Sequence, residues 1–173
     1  METRENYWYK MCRFRYQLNY LYLCYHHCIL VNRIIQIGTA IASSTAIAAW
    51  VKWTNLSFIW GCIIVGSQVI LAIYEVLPIK KRTESLSSLI SQLDQLYLEV
   101  ESVWQEINFD EKYTDENINK KIYDFEKKWS ILINKTLADD LLPQSNRLRE
   151  KAYVQAYSYI VNNLGGKAHN EVS

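Results

Sequence analysis

The chain carries two long uncharged runs, an aromatic-rich segment before them, and repeating apolar stripes after them. Ile34 to Val51 is 18 residues without a charge, and Thr54 to Tyr74 is 21 without one. At ~1.5 Å per residue, a helix over either run is long enough for a hydrocarbon core about 30 Å thick. The pattern therefore predicts a transmembrane hairpin with spans at 34–51 and 54–74. Lys52 marks its turn, and Trp50 and Trp53 lie where amphipathic rings collect at the lipid interface. The competing prediction is a buried hairpin of an ordinary globular protein, but little else in the chain is apolar enough to surround it.

Before these runs, residues 7–33 contain no proline or glycine and carry aromatic rings at nearly every turn, among them Tyr7, Trp8, Phe14 and Tyr25. A helix is predicted from about Asn6 into the first run. Its rings point in several directions, so it needs neighbouring helices or a lipid interface, and packing against helices is the expectation. After Pro78 the periodicity becomes regular. Leu86, Leu89, Ile90, Leu93, Leu96, Tyr97, Val100, Val103, Trp104 and Ile107 recur at steps of three and one, an amphipathic stripe held for three heptads. This predicts a helix from about Ile79 to Asn108. Thr114 is the expected cap of a second helix, with its stripe at Ile118, Ile122, Phe125, Trp129, Leu132 and Thr136. Asp139 or Asp140 and Pro143 mark the start of a third, with Leu148, Ala152, Gln155 or Ala156, and Tyr159 on its apolar side and Gly165-Gly166 at its end.

Nothing reads as a pair of strands. The predicted fold class is an all-α membrane protein: a two-helix transmembrane hairpin with an N-terminal cytoplasmic helix and a C-terminal cytoplasmic helical bundle. The expected organisation is an aromatic and basic helix over 1–33, the hairpin over 34–77, a helical domain over 78–166 and a disordered tail over 167–173.

Charge orients this arrangement. Arg4, Lys10, Arg13, Arg15 and Arg33 precede the first run against Glu2 and Glu5, and Lys80, Lys81 and Arg82 follow the second, whereas the turn offers only Lys52. Positive side chains collect on the cytoplasmic side, so both termini are predicted there, in a bacterial inner membrane, and no secretory signal is expected to account for the runs. The overall net charge of +1 hides an acidic tail: residues 83–173 hold 15 acidic and 10 basic side chains, which argues against a nucleic-acid partner. Cys12, Cys24, Cys28 and Cys62 are expected to be reduced.

Polar side chains inside the uncharged runs are the first place to seek function, because they are costly in lipid. Gln36, Thr39 and Ser43 fall on one helical face of the first run. Ser57, Gly61, Gln68 and Glu75 fall on one face of the second. Two readings stand: the faces pack helix against helix through small and hydroxyl residues, or several hairpins assemble around them and line a conduit with Glu75 as a ring at its mouth. The stripe of Leu86, Leu89, Leu93, Leu96, Val100, Val103 and Ile107 is the expected oligomerisation surface. Cys24, His27 and Cys28 share a helix face, but a closed zinc site wants a fourth ligand, so no metal and no cofactor are expected. Arg147, Arg149 and Lys151 read as a solvated face. No phosphate loop, nucleophile elbow or metalloprotease helix is present in the sequence, and the chain is not expected to be an enzyme.

The aromatic and basic N-terminal helix, the run "IGTAIASSTAIAAWVKW" and the basic exit "LPIKKRTESLSSLISQLDQLYLEVESVW" together resemble the SLATT-domain proteins over about residues 5–108. These are bacterial two-transmembrane effectors of nucleotide-signalling and related anti-phage systems. The resemblance implies an effector that oligomerises and permeabilises or depolarises the inner membrane when a nucleotide second messenger or a regulatory protein releases it, ending in growth arrest or cell death. The lipid bilayer and further copies of the chain would be its partners. The alternative is an anchored helical scaffold that recruits a partner and has no pore activity.

Overall fold

A computed structural model describes residues 2–52, 57–76, 79–109, 113–137 and 145–164; the side chains of 41–57, 59–60, 63–64, 71 and 73–81 lie outside that description. The described residues form five helices and no strand: α1 Glu2–Lys52, α2 Ser57–Val76, α3 Ile79–Phe109, α4 Asp115–Leu137 and α5 Asn146–Leu164. They divide into two units. Unit 1 comprises Met1–Tyr25 and Ser85–Ser173, and unit 2 is His26–Glu84.

Unit 1 is built from the first half of α1, most of α3, α4 and α5. In α1, Tyr7, Met11, Phe14, Leu18, Leu21 and Cys24 recur at steps of four and three, and all six are buried. This is the spacing that keeps one stripe facing a partner helix. Leu86, Leu89, Ile90, Leu93, Leu96, Tyr97, Val100 and Ile107 of α3 are buried as well, with Ile118, Ile122, Phe125 and Trp129 from α4 and Ala152, Ala156 and Ile160 from α5. Aromatic rings join the helices. Tyr7 stacks on Trp104 at 5.9 Å between centroids and meets Phe125 edge-on at 6.4 Å, while Phe14 stacks on Trp129 at 4.6 Å. The Tyr7 hydroxyl donates a buried hydrogen bond of 2.9 Å to the Val100 carbonyl, which ties α1 to α3. Tyr7, Trp8 and Phe14 of the N-terminal segment thus find ring partners in α3 and α4 of the same chain.

The helix boundaries follow local chemistry. Thr114 caps α4: its Oγ1 accepts from the Asn117 amide at 3.3 Å and its carbonyl from the Ile118 amide at 3.1 Å. Asp115 and Glu116 occupy the first turn and Lys135 the last, each at the pole that stabilises its charge. Helix α5 begins three residues after Pro143, and the Ser145 carbonyl accepts from the Arg149 amide at 3.1 Å. The expected boundary residues Asp139, Asp140, Pro143 and Gly165-Gly166, and the tail over 167–173, fall outside the described residues.

Unit 2 holds the second half of α1, α2 and the first turns of α3. None of its described side chains is buried. Here the prediction needs correcting. Among the described residues no helix is long and apolar enough to cross a membrane, so the transmembrane hairpin over 34–51 and 54–74, and with it the membrane-protein fold class, does not stand. The prediction counted uncharged residues, which is a weaker condition than a continuous apolar helix. The first run includes Gln36, Gly38 and Thr39 among its described residues, and the second Gly61, Gly66, Ser67 and Gln68. What remains of the predicted class is the all-α helical bundle.

Candidate functional site

In unit 1, Arg15 is half-buried among aromatic rings. From α1 its guanidinium lies 3.5 Å above the ring of Tyr159 on α5 and 5.1 Å from that of Tyr97 on α3. The two rings meet edge-on at 6.4 Å. A cation on a ring face is attracted by the π quadrupole, by ~0.5–2 kcal/mol depending on how dry the site is. Glu101, one turn after Tyr97, accepts a hydrogen bond of 3.2 Å from the Tyr159 hydroxyl through Oε2. Three buried polar atoms of this cluster, Arg15 Nε, the Tyr97 hydroxyl and Glu101 Oε1, make no hydrogen bond of normal geometry.

Burial raises the Tyr97 hydroxyl far above its ordinary pKa, with the Glu101 carboxylate adding to the rise and Arg15 opposing it. Burial also raises Tyr159, assisted by its hydrogen bond to Glu101, and Tyr22, assisted by Asp94. These tyrosines therefore remain protonated at physiological pH, and Tyr159 donates its hydroxyl to Glu101. The cluster joins α1, α3 and α5 through a cation held by rings, an arrangement suited to fixing helix register.

A second feature lies between α3 and α4. A groove of about 560 Å³ is lined by Glu99, Ser102, Val103, Lys121, Phe125 and Lys127, with Asp124, Lys128 and Ile131 completing its wall. Lys128 pairs with Glu99 at 3.2 Å across its edge, both being more than half exposed, so the pair contributes little to stability. Among the described residues Lys121 and Lys127 have no ion-pair partner. Lys10 of α1 pairs with Glu126 on α4.

Of the residues predicted to line a conduit, Gln36, Thr39, Gly61 and Gln68 have described side chains. Gln36 and Gln68 are exposed, and Gly61 is half-buried with open space where a Cβ would stand. Thr39 donates its hydroxyl back to the carbonyls of Ile35 and Gln36, both at 2.9 Å, satisfying itself within its own helix. Ser43, Ser57 and Glu75 have side chains outside the described set. The predicted oligomerisation stripe is placed differently from expectation. Leu86, Leu89, Leu93, Leu96, Val100 and Ile107 are buried within unit 1 and Val103 is half-buried, so the stripe is spent on the chain's own core. Its period was legible, but not which surface covers it.

Among the described residues no group of three or more histidine, cysteine, aspartate or glutamate side chains could hold a metal ion. Cys24 of the Cys24, His27, Cys28 trio is buried, His27 is exposed and Cys28 half-buried. Burial pushes the Cys12 thiol up to about 11, against its own backbone hydrogen bond, so it is protonated and inert at neutral pH. Arg147, Arg149 and Lys151 are exposed. Sequence reasoning missed the Arg15 cluster, because nothing in the local pattern links Arg15 to a tyrosine more than a hundred positions later. Set against known proteins, the chain matches no family model, no curated protein and no solved structure.

Proposed function

We propose that the chain is a helical scaffold: unit 1 is the folded body offered to a partner protein, and unit 2 gathers copies of the chain through its apolar helices. The observation that carries this reading is the state of unit 2. Leu30, Ile34, Ile37, Phe58, Val65, Val69 and Ile70 are all more than half exposed, Phe58 at 82%. Leaving a large aliphatic or aromatic side chain in water forgoes about 1.5–3 kcal/mol. Helices of this composition call for a covering surface.

Their spacing supports a helical cover. Leu30, Ile34 and Ile37 follow one stripe on α1, and Phe58, Val65 and Val69 follow one on α2. Gly61 and Gly66 have open space where a side chain would stand, which lets a second helix approach closely. An apolar unit that assembles in this way concentrates unit 1 bodies and raises their effective concentration for a partner.

The test is the mass of the full-length protein in solution by light scattering, beside a Val65→Lys, Val69→Lys variant. The native chain is expected to run as an oligomer, and the variant as a smaller species with its helical content kept. A native chain that stays monomeric at high concentration would overturn the scaffold. Release of dye from anionic vesicles by the native protein alone would favour instead the permeabilising activity that the SLATT resemblance implies.

A further inference from the structure

Phe109, the last residue of α3, is 86% exposed. It stands in the most acidic stretch of the chain: residues 106–116 hold Glu106, Asp110, Glu111, Asp115 and Glu116 against the single Lys112. Glu106, Asp115 and Glu116 are exposed, and Glu106 accepts a hydrogen bond of 2.8 Å from the Tyr113 hydroxyl. An aromatic ring held out in water, with exposed carboxylates at Glu106, Asp115 and Glu116 in the same stretch of chain, has the chemistry of an interface anchor with a charged rim.

The groove of α3 and α4 is the complement. Its floor is apolar, from Val103, Phe125 and Ile131, and Ile131 is itself more than half exposed. Its edge carries Lys121, Lys127 and Lys128 against Glu99 and Asp124; Lys128 is paired with Glu99, and Lys121 and Lys127, without ion-pair partners among the described residues, leave the edge net positive. At about 560 Å³ it has room for an aromatic side chain and its neighbours. Phe109 does not fill the groove of its own chain, since the ring is exposed.

We propose that this groove is a docking site for a second copy of the chain, which inserts Phe109 and sets Glu106, Asp115 and Glu116 against Lys121 and Lys127. Anchor and groove are different patches on one molecule, so the contact is head-to-tail and each copy keeps one free groove and one free anchor. The contact lies wholly in unit 1 and does not rest on the apolar faces of unit 2. One aromatic anchor with a charged rim makes a small interface, so it is weak and is loosened further by salt.

The experiment places the photo-crosslinking residue p-benzoylphenylalanine at position 109 of the full chain. Isotopically light and heavy copies are mixed, irradiated at low and high salt, and the joined peptides read by mass spectrometry. Light-to-heavy crosslinks into residues 121–131 are expected, weaker at high salt. They should fall about tenfold in yield, a change worth ~1.4 kcal/mol, when the receiving copy carries Lys121→Glu, Lys127→Glu. A donor copy carrying Asp115→Lys, Glu116→Lys should restore them with that receiver, which a merely misfolded receiver would not permit. Crosslinks confined to one copy, crosslinks to other segments, none at all, or a yield indifferent to the charge reversals would each overturn the proposal. Because the readout is the crosslinked segment, assembly through unit 2 neither mimics nor masks it.

Discussion

Units 1 and 2 are both helical, and they treat their apolar residues in opposite ways. In unit 1, helices distant in sequence supply stripes to one another, so Leu18, Leu89, Leu93 and Ile118 are at most 1% exposed. In unit 2, Ile34, Phe58 and Val65 are at least 60% exposed although the surrounding sequence is more apolar. Apolar content alone therefore does not make a core. A core also requires enough helices, oriented to close around one another, and unit 1 has four segments for this. Unit 1 buries its own stripes, whereas the described apolar side chains of unit 2 stay open in the single chain.

The largest effects should separate the two units. Leu93→Ala, a truncation at a fully buried site, is expected to lower unfolding free energy by about 2–5 kcal/mol, read as a shift in urea midpoint from tryptophan fluorescence. Val69→Ala, on a face half exposed in the single chain, is expected to weaken assembly but to leave the unfolding free energy of unit 1 within ~0.5 kcal/mol of the native value. Comparable losses from both would mean that the units fold as one and would erase the contrast. A smaller effect sharpens the account of unit 1. Thr114→Ala removes the cap of α4 and is expected to cost about 0.5–2 kcal/mol, with Thr114→Ser recovering most of it. If the alanine variant were as stable as the native chain, the cap would be decorative.

The smallest effect is a pH dependence. The Cys12 thiol is raised from its ordinary 9.0 to about 11 in the folded chain, chiefly by burial. The folded state therefore holds this proton more tightly than the unfolded chain does. Its contribution is complete below pH 9 and is lost as pH rises through about 11. Tyr7 and Tyr97 are raised for the same reason and add to the decline at still higher pH. Urea midpoints measured from pH 8 to 11 should fall, and Cys12→Ala should flatten the part of the slope above pH 9. An unchanged slope in that variant would show that Cys12 is not the group responsible.

Periodicity by itself determined much of this protein. The stripe from Leu86 to Ile107 predicts a helix over 79–108, and α3 is Ile79–Phe109; Thr114 predicts the start of α4, and its hydroxyl caps that helix. Such features are local: an apolar repeat every three or four residues and a hydroxyl beside an orphan amide are written within a few positions of one another. Only the tertiary structure decided what the stripes face. The α3 stripe reads equally well as an oligomer surface or a core seam, and packing against α1, α4 and α5 makes it the core. The placement of Arg15 on Tyr159 joins residues too distant for any periodicity to connect. Uncharged length misled for the same reason. It counts residues along the chain, whereas a spanning helix, a core or an interface is defined by the continuity of apolar surface in three dimensions and by what closes over it.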